Sequence, residues 1–308
     1  MVDFLIIGTP KAGTTALQYY LSQHEDIFMP DNKEVHFFGE EFRNSEEGEQ
    51  QIYRRNYNIE DYERLFDAAS KKQIKGEASV FYLYSPTALK EIKEYNPKMK
   101  IIVCFRNPID FLTSYHQDQI YVGNEDEPDF WKALSLEEKR KYGESIPKSC
   151  TLRKALYYGE MVKYKKYLKA YIDEFGRENV YPIIFEEFIS SPQSSYEKVL
   201  NFLNVKKELN YSIDFKKVNP RRNVRLKWVD NFIKQPSSNF RKFARVFIPS
   251  QKKRFLAFQL LRKINTSHSR VNELTDHEKR KLYKVIESHI KELEEYLQIN
   301  LSIWKKYN

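Results

Sequence analysis

Two short stretches carry residue types able to hold phosphate. In the first, Gly8-Thr9-Pro10-Lys11-Ala12-Gly13-Thr14-Thr15, two glycines bound a loop that follows the apolar run 4–7. That spacing lets the loop curl its amides around a phosphate at a helix start. In a nucleoside-triphosphate loop the lysine comes after the second glycine, and the next hydroxyl holds Mg²⁺. Here Thr14 follows the second glycine and Lys11 stands at the crown of the loop. A lysine at the crown would lean toward a group leaving or arriving at a 5′-phosphate. The plainer alternative is a strand-to-helix turn with an exposed lysine.

The second stretch, KIIVCFRNPIDFLTSYHQ (100–117), weighs against that alternative. It sets Arg106 just past an apolar run, Asn107-Pro108 at a helix start, and Ser114 within the first turns. A fork-shaped guanidinium and a hydroxyl beside the phosphate loop make a second anion site. A nucleotide phosphorylated at both ends of its ribose needs both.

With these two motifs the sequence resembles the sulfotransferases that use 3′-phosphoadenosine 5′-phosphosulfate (PAPS). TPKAGTT (9–15) matches the 5′-phosphosulfate loop and RNPIDFLTSY (106–115) the 3′-phosphate site. KEVHFF (33–38), NPRRNVR (219–225) and IKELEEYLQINLSIW (290–304) extend the likeness over nearly the whole chain, in order. The resemblance implies a transferase that moves a sulfuryl group in line from PAPS to a hydroxyl or amine and leaves adenosine 3′,5′-bisphosphate. It implies no metal.

The same resemblance implies roles residue by residue. Lys11 faces the bridging oxygen between phosphate and sulfate. Thr14, Thr15 and the amides of Ala12 and Gly13 hold the 5′-phosphate, while Arg106 and Ser114 hold the 3′-phosphate. One of Arg221, Arg222 and Arg225 closes over that end. KEVHFF is similar to the glycan-modifying and bacterial branches, whose corresponding glutamate is the base toward the acceptor. Glu34 is therefore the candidate base, with His36 orienting the acceptor or sharing the role and Glu77 in reserve. The sequence also departs from the glycan branches, which carry a second active-site lysine where GEASVFYL has Ala78.

The elements that must position these groups alternate. Apolar runs at 74–82, 100–105 and 180–185 read as buried strands beside a first core strand at 3–7. Helices are predicted from Ser85-Pro86 to Asn96, over 152–176 with Gly176 as its stop, and from Thr275, whose Glu278 completes a capping box. This order predicts an α/β fold of P-loop type: one parallel sheet with helices on both faces, a single domain over 1–308. Residues 117–150, read as polar and irregular, and 225–270 are expected as insertions over the carboxyl edge of the sheet. The acidic run NEDEPD (124–129) within the first hints at a cationic acceptor, against the ordinary reading of a solvated loop.

Composition excludes other classes. Hydrophobic residues make up 41% and charged residues 31% of 308, which fits a globular protein. The two cysteines, Cys104 and Cys150, make no disulfide framework. With no apolar stretch of membrane length and no basic leader before the first strand, a cytoplasmic protein without integral membrane association is expected. The net charge of +9 is local, since residues 225–270 hold twelve Lys and Arg against Asp230 alone. Trp228, Phe232, Phe240, Phe243, Phe247, Phe255 and Phe258 interleave with those cations. One rival reading is thus a protein that binds polyanions or a membrane through this segment; amphipathic helices packed on the sheet explain it more simply, and no nucleic acid partner is expected. A second rival, a P-loop NTP-dependent kinase, needs a lysine after Gly13 and an acidic strand end for Mg²⁺; the chain has Thr14 and Arg106 instead. The acceptor is expected to be a sugar or a small hydroxylated metabolite of a specialised pathway.

Overall fold

The structure, a computed structural model, describes residues 1–43, 58–206, 212–216, 223–224, 266–267 and 274–307. Strands β1 (Phe4–Gly8), β2 (Ile27–Phe28), β3 (Ile74–Ala78), β4 (Lys100–Phe105) and β5 (Val180–Ile184) form a parallel sheet in the order β2-β3-β1-β4-β5. The central strands read as continuous apolar runs because both of their faces are covered. Leu5, Ile7, Ile101, Val103 and Phe105 point into one core, while Phe4, Ile6, Ile102 and Cys104 point into the other. Alternate residues of a strand face opposite sides, so one run serves two cores.

Among the described residues the helices are, in chain order, α1 (Thr14–Leu21), α2 (Glu40–Arg43), α3 (Ile59–Arg64), α4 (Pro86–Tyr95), α5 (Pro108–Val122), α6 (Phe130–Ser135), α7 (Glu137–Lys141), α8 (Tyr164–Phe175), α9 (Phe185–Ser190), α10 (Pro192–Leu203) and α11 (Asp276–Leu297). Helices α4, α5, α8 and α11 cover the first core; α1, α9 and α10 cover the second. The predicted caps are in place: the Ser85 hydroxyl accepts from the Ala88 amide at 2.8 Å, and Thr275 and Glu278 form the capping box. From β1 the chain runs outward to β2 and β3 on one side, then crosses to β4 on the other. The carboxyl ends of β1 and β4 therefore flank the switch point where such sheets bind ligands.

Three expectations change. The strand expected over 74–82 stops at Ala78, and Val80–Tyr84 is a 3₁₀ turn. There the chain turns from the sheet toward residues 33–38, and the Ser79 hydroxyl accepts from the His36 amide at 3.0 Å. The helix expected over 152–176 is helical only from Tyr164, with short 3₁₀ turns at Arg153–Leu156 and Glu160–Val162. Tertiary contacts hold that stretch: the Gly159 amide donates to Glu137 at 2.6 Å and the Tyr158 hydroxyl to Glu125 at 2.9 Å.

Residues 117–150 are not irregular either, because they hold the end of α5 together with α6 and α7. They close around a fully buried Arg140–Glu125 pair with two 2.7 Å contacts. Within 124–129, Glu125 thus belongs to that pair, Glu127 pairs with Lys132, and Asp129 caps α6. These acids build the fold and are no signal of a cationic acceptor. Residues 225–270, apart from 266–267, lie outside the described residues, as do Arg221, Arg222 and Arg225. The backbone pairs of Asn223–Val224 (β6) and Thr266–Ser267 (β7) form a short antiparallel ladder.

Candidate active site

The loop between β1 and α1 is shaped by its glycines. Gly8 has φ 145°, and a Cβ there would stand 2.2 Å from the Cys104 carbonyl oxygen of β4. Gly13 caps α1 in the left-handed region at φ 81°, with no side chain capping the helix. The geometry of a helix start leaves the first amides of α1 without intrahelical acceptors, pointing out of the loop. The Ala12 amide, expected to face phosphate, instead reaches back to the Thr9 carbonyl at 3.3 Å. Lys11 also takes a positive φ, 66°, and its ammonium meets Asp118 of α5 at 3.0 Å.

Arg106 is held from several sides. Its Nη1 donates to the Lys11 carbonyl at 3.1 Å, and its guanidinium lies 5.0 Å from the centre of the Phe185 ring. The same ring lies against Gly13, where a Cβ would come within 2.9 Å of it. Phe185 is therefore a common floor for the loop and the arginine. The Tyr164 hydroxyl donates to the Arg106 carbonyl at 3.0 Å. The next residue, Asn107, caps α5 with its side chain, and its amide donates to Glu186 at 3.0 Å. Trp304 binds the same Glu186 through its indole at 2.7 Å. The far end of the chain thus sets the start of α5. Ser114 lies one helical turn before Asp118, so both share the face that Asp118 turns toward the loop.

Residues 33–38 approach the start of α1. The Lys33 ammonium donates to the Thr14 hydroxyl at 2.8 Å. The Glu34 carboxylate lies 3.4 Å from His36 Nε2, with its side chain 22% exposed and the imidazole fully buried. Burial pushes Glu34 up to about 7, Lys33 draws it down, and Asp118 adds to the rise. Burial, reinforced by Lys33, holds His36 down to about 3, so its ring is neutral. Glu77 is inside β3, fully buried, and accepts from the Ser79 hydroxyl. Burial pushes it to about 7 as well, and Glu34 adds to the effect.

Lys11, Thr14, Glu34, His36, Glu77 and Arg106 are thus brought to one end of the sheet. Lys33 and Asp118 join them without having been singled out in the sequence. Lys33 opens the KEVHFF stretch, in which the resemblance points to the glutamate and the histidine. Asp118 could have been found by counting one turn on from Ser114. Among the described residues, no cluster of three or more His, Cys, Asp and Glu is placed to hold a metal ion, and no helix is long and apolar enough to cross a membrane.

The model of the sulfotransferase domain family matches residues 2–294. A solved sulfotransferase from Alicyclobacillus acidocaldarius superposes with a TM-score of 0.69 at 26% identity, over 99% of each chain. Mouse carbohydrate sulfotransferase 15 is 29% identical over 248 residues, 66% of this chain and 43% of its own length. The membrane-associated sulfotransferase kil1 of Dictyostelium discoideum is 30% identical over 118 residues, 37% of this chain and 22% of its own. The chain spans less than half the length of these curated relatives.

Proposed function

The chain belongs to the sulfotransferase domain family, and on that premise we propose that it transfers a sulfuryl group from PAPS to a hydroxyl or amine of a small metabolite or sugar. PAPS is the donor used by the family. One observation carries the reading: Arg106 donates to the carbonyl of Lys11, which joins the second anion site to the phosphate loop. The amides at the start of α1, with Thr14 and Thr15, would hold the 5′-phosphate, and Arg106 with Ser114 the 3′-phosphate. In the transfer the bond from sulfur to the 5′-phosphate oxygen breaks as the acceptor oxygen or nitrogen bonds to sulfur. Glu34 takes the acceptor proton, and Lys11 faces the negative charge left on the phosphate. Both cysteines are buried and neither forms a disulfide, which suits the reducing cytoplasm we assign to the protein.

Calorimetry with adenosine 3′,5′-bisphosphate and with adenosine 5′-phosphate tests this reading. The chain is expected to prefer the bisphosphate, and Arg106→Ala is expected to abolish most of that preference. Losing one charged hydrogen-bonding partner costs about 1.5–3 kcal/mol. Equal affinity of the unaltered chain for the two nucleotides, or tighter binding of ATP with Mg²⁺, would overturn the proposal.

A further inference from the structure

Lys33 is placed at an unusual point for a cation. Its ammonium donates to the hydroxyl of Thr14, the first residue of α1, and Thr14 is itself buried. A helix start carries the positive end of the helix dipole, where a lysine is disfavoured unless an anion joins it. Among the described residues no carboxylate comes within 4.0 Å of the Lys33 ammonium. Burial pushes Lys33 below its ordinary range, against the pull of Glu34 and Glu77. An ammonium has three donors, and a single hydroxyl does not satisfy them. A half-buried ammonium with one hydroxyl acceptor and no carboxylate in contact, held beside the first amides of a helix, has donors left for an anion.

We propose that Lys33 is a donor-binding residue, whose ammonium, held by the Thr14 hydroxyl, contacts the 5′-phosphosulfate group together with Lys11. The inference rests on the transferase reading above and adds a residue to it. Lys11 comes from the loop and Lys33 from the segment that also carries Glu34, so the transferred group is held by both. Because Lys33 and Glu34 are neighbours, donor and base are set in register by one stretch of chain.

The test separates the 5′ end of the nucleotide from the 3′ end. Calorimetry on the full chain uses adenosine 3′,5′-bisphosphate and adenosine 3′-phosphate as probes, with Lys33→Gln and Lys33→Met as variants. Wild type is expected to prefer the bisphosphate. Each variant is expected to bind it at least tenfold more weakly while its affinity for the 3′-phosphate alone changes less than twofold. Thermal melting gives a second readout, because an unpaired cation at a helix start does not stabilise the free protein. Lys33→Gln should keep or raise the Tm without nucleotide and lose much of the rise that the bisphosphate gives wild type. A wild-type preference retained in both variants overturns the inference alone, as does a fall of the nucleotide-free Tm with an unchanged bisphosphate-dependent rise. A wild-type chain that binds neither nucleotide overturns the transferase reading, and the inference with it.

Discussion

Glu34→Gln should lower turnover by roughly 10²–10⁴-fold, the usual cost of losing a general base, and leave bisphosphate affinity within about threefold. The residue is suited to the role by placement and by charge. Its side chain keeps 22% exposure while His36 behind it has none, so of the two only Glu34 is open to an acceptor. A base works best when its pKa lies near the working pH, and burial brings Glu34 to about 7. The sign of the pH effect follows: the carboxylate must be ionised to take a proton, so kcat/KM should rise with pH through about 7 and level above it. In the Gln variant that limb should vanish along with the rate. Glu77 titrates in the same range but is sealed in β3 beneath Ser79, so Glu77→Gln should keep the limb. Turnover of Glu34→Gln near the wild-type rate, measured with saturating PAPS, would move the role to His36 or Glu77.

The sequence was most legible where one physical cause dominates. Buried parallel strands must be apolar on both faces, and 100–105 formed over the span expected of it. Ser85-Pro86 and Thr275 with Glu278 set helix starts through local hydrogen bonds, and both were visible for that reason. Where contacts distant in sequence decide, pattern alone misled. Residues 152–163 carry helical spacing, yet Glu125 and Glu137 claim their Tyr158 hydroxyl and Gly159 amide. The run at 124–129 looked like a solvated acidic loop because nothing local reveals that Arg140 lies against Glu125. At the site, the loop and Arg106 were readable from residue type and order. Lys33 was not, since its meaning depends on Thr14, nineteen positions earlier, being in reach of its ammonium. Phe185 was silent for the same reason: an aromatic after a strand has no distinct signal until Gly13 and Arg106 are seen against it.

Lys11→Ala should separate chemistry from binding. Its ammonium is engaged with Asp118, at 3.0 Å and with both side chains about a third exposed. Pairs of that exposure contribute roughly 0–1 kcal/mol, so the lysine can leave Asp118 at little cost once negative charge develops nearby. The proposed charge is that on the bridging oxygen, which grows only as the bond to sulfur breaks. An interaction that strengthens in the transition state appears in kcat and hardly in the affinity for product. Removing one preorganised stabilising group of this kind costs about 10²–10³-fold in kcat, whereas the bisphosphate dissociation constant should change no more than about threefold. Lys11→Arg should rescue poorly, because a planar fork does not replace a compact ammonium in a loop residue held at φ 66°. Asp118→Asn should leave the chemical step nearly intact, since it frees the lysine instead of removing it. Single-turnover rates at saturating PAPS, set beside calorimetry with the bisphosphate, read the two quantities apart. If Lys11→Ala raises the donor and product dissociation constants together and leaves the chemical step unchanged, Lys11 only binds, and the assignment of the leaving-group role to it is wrong.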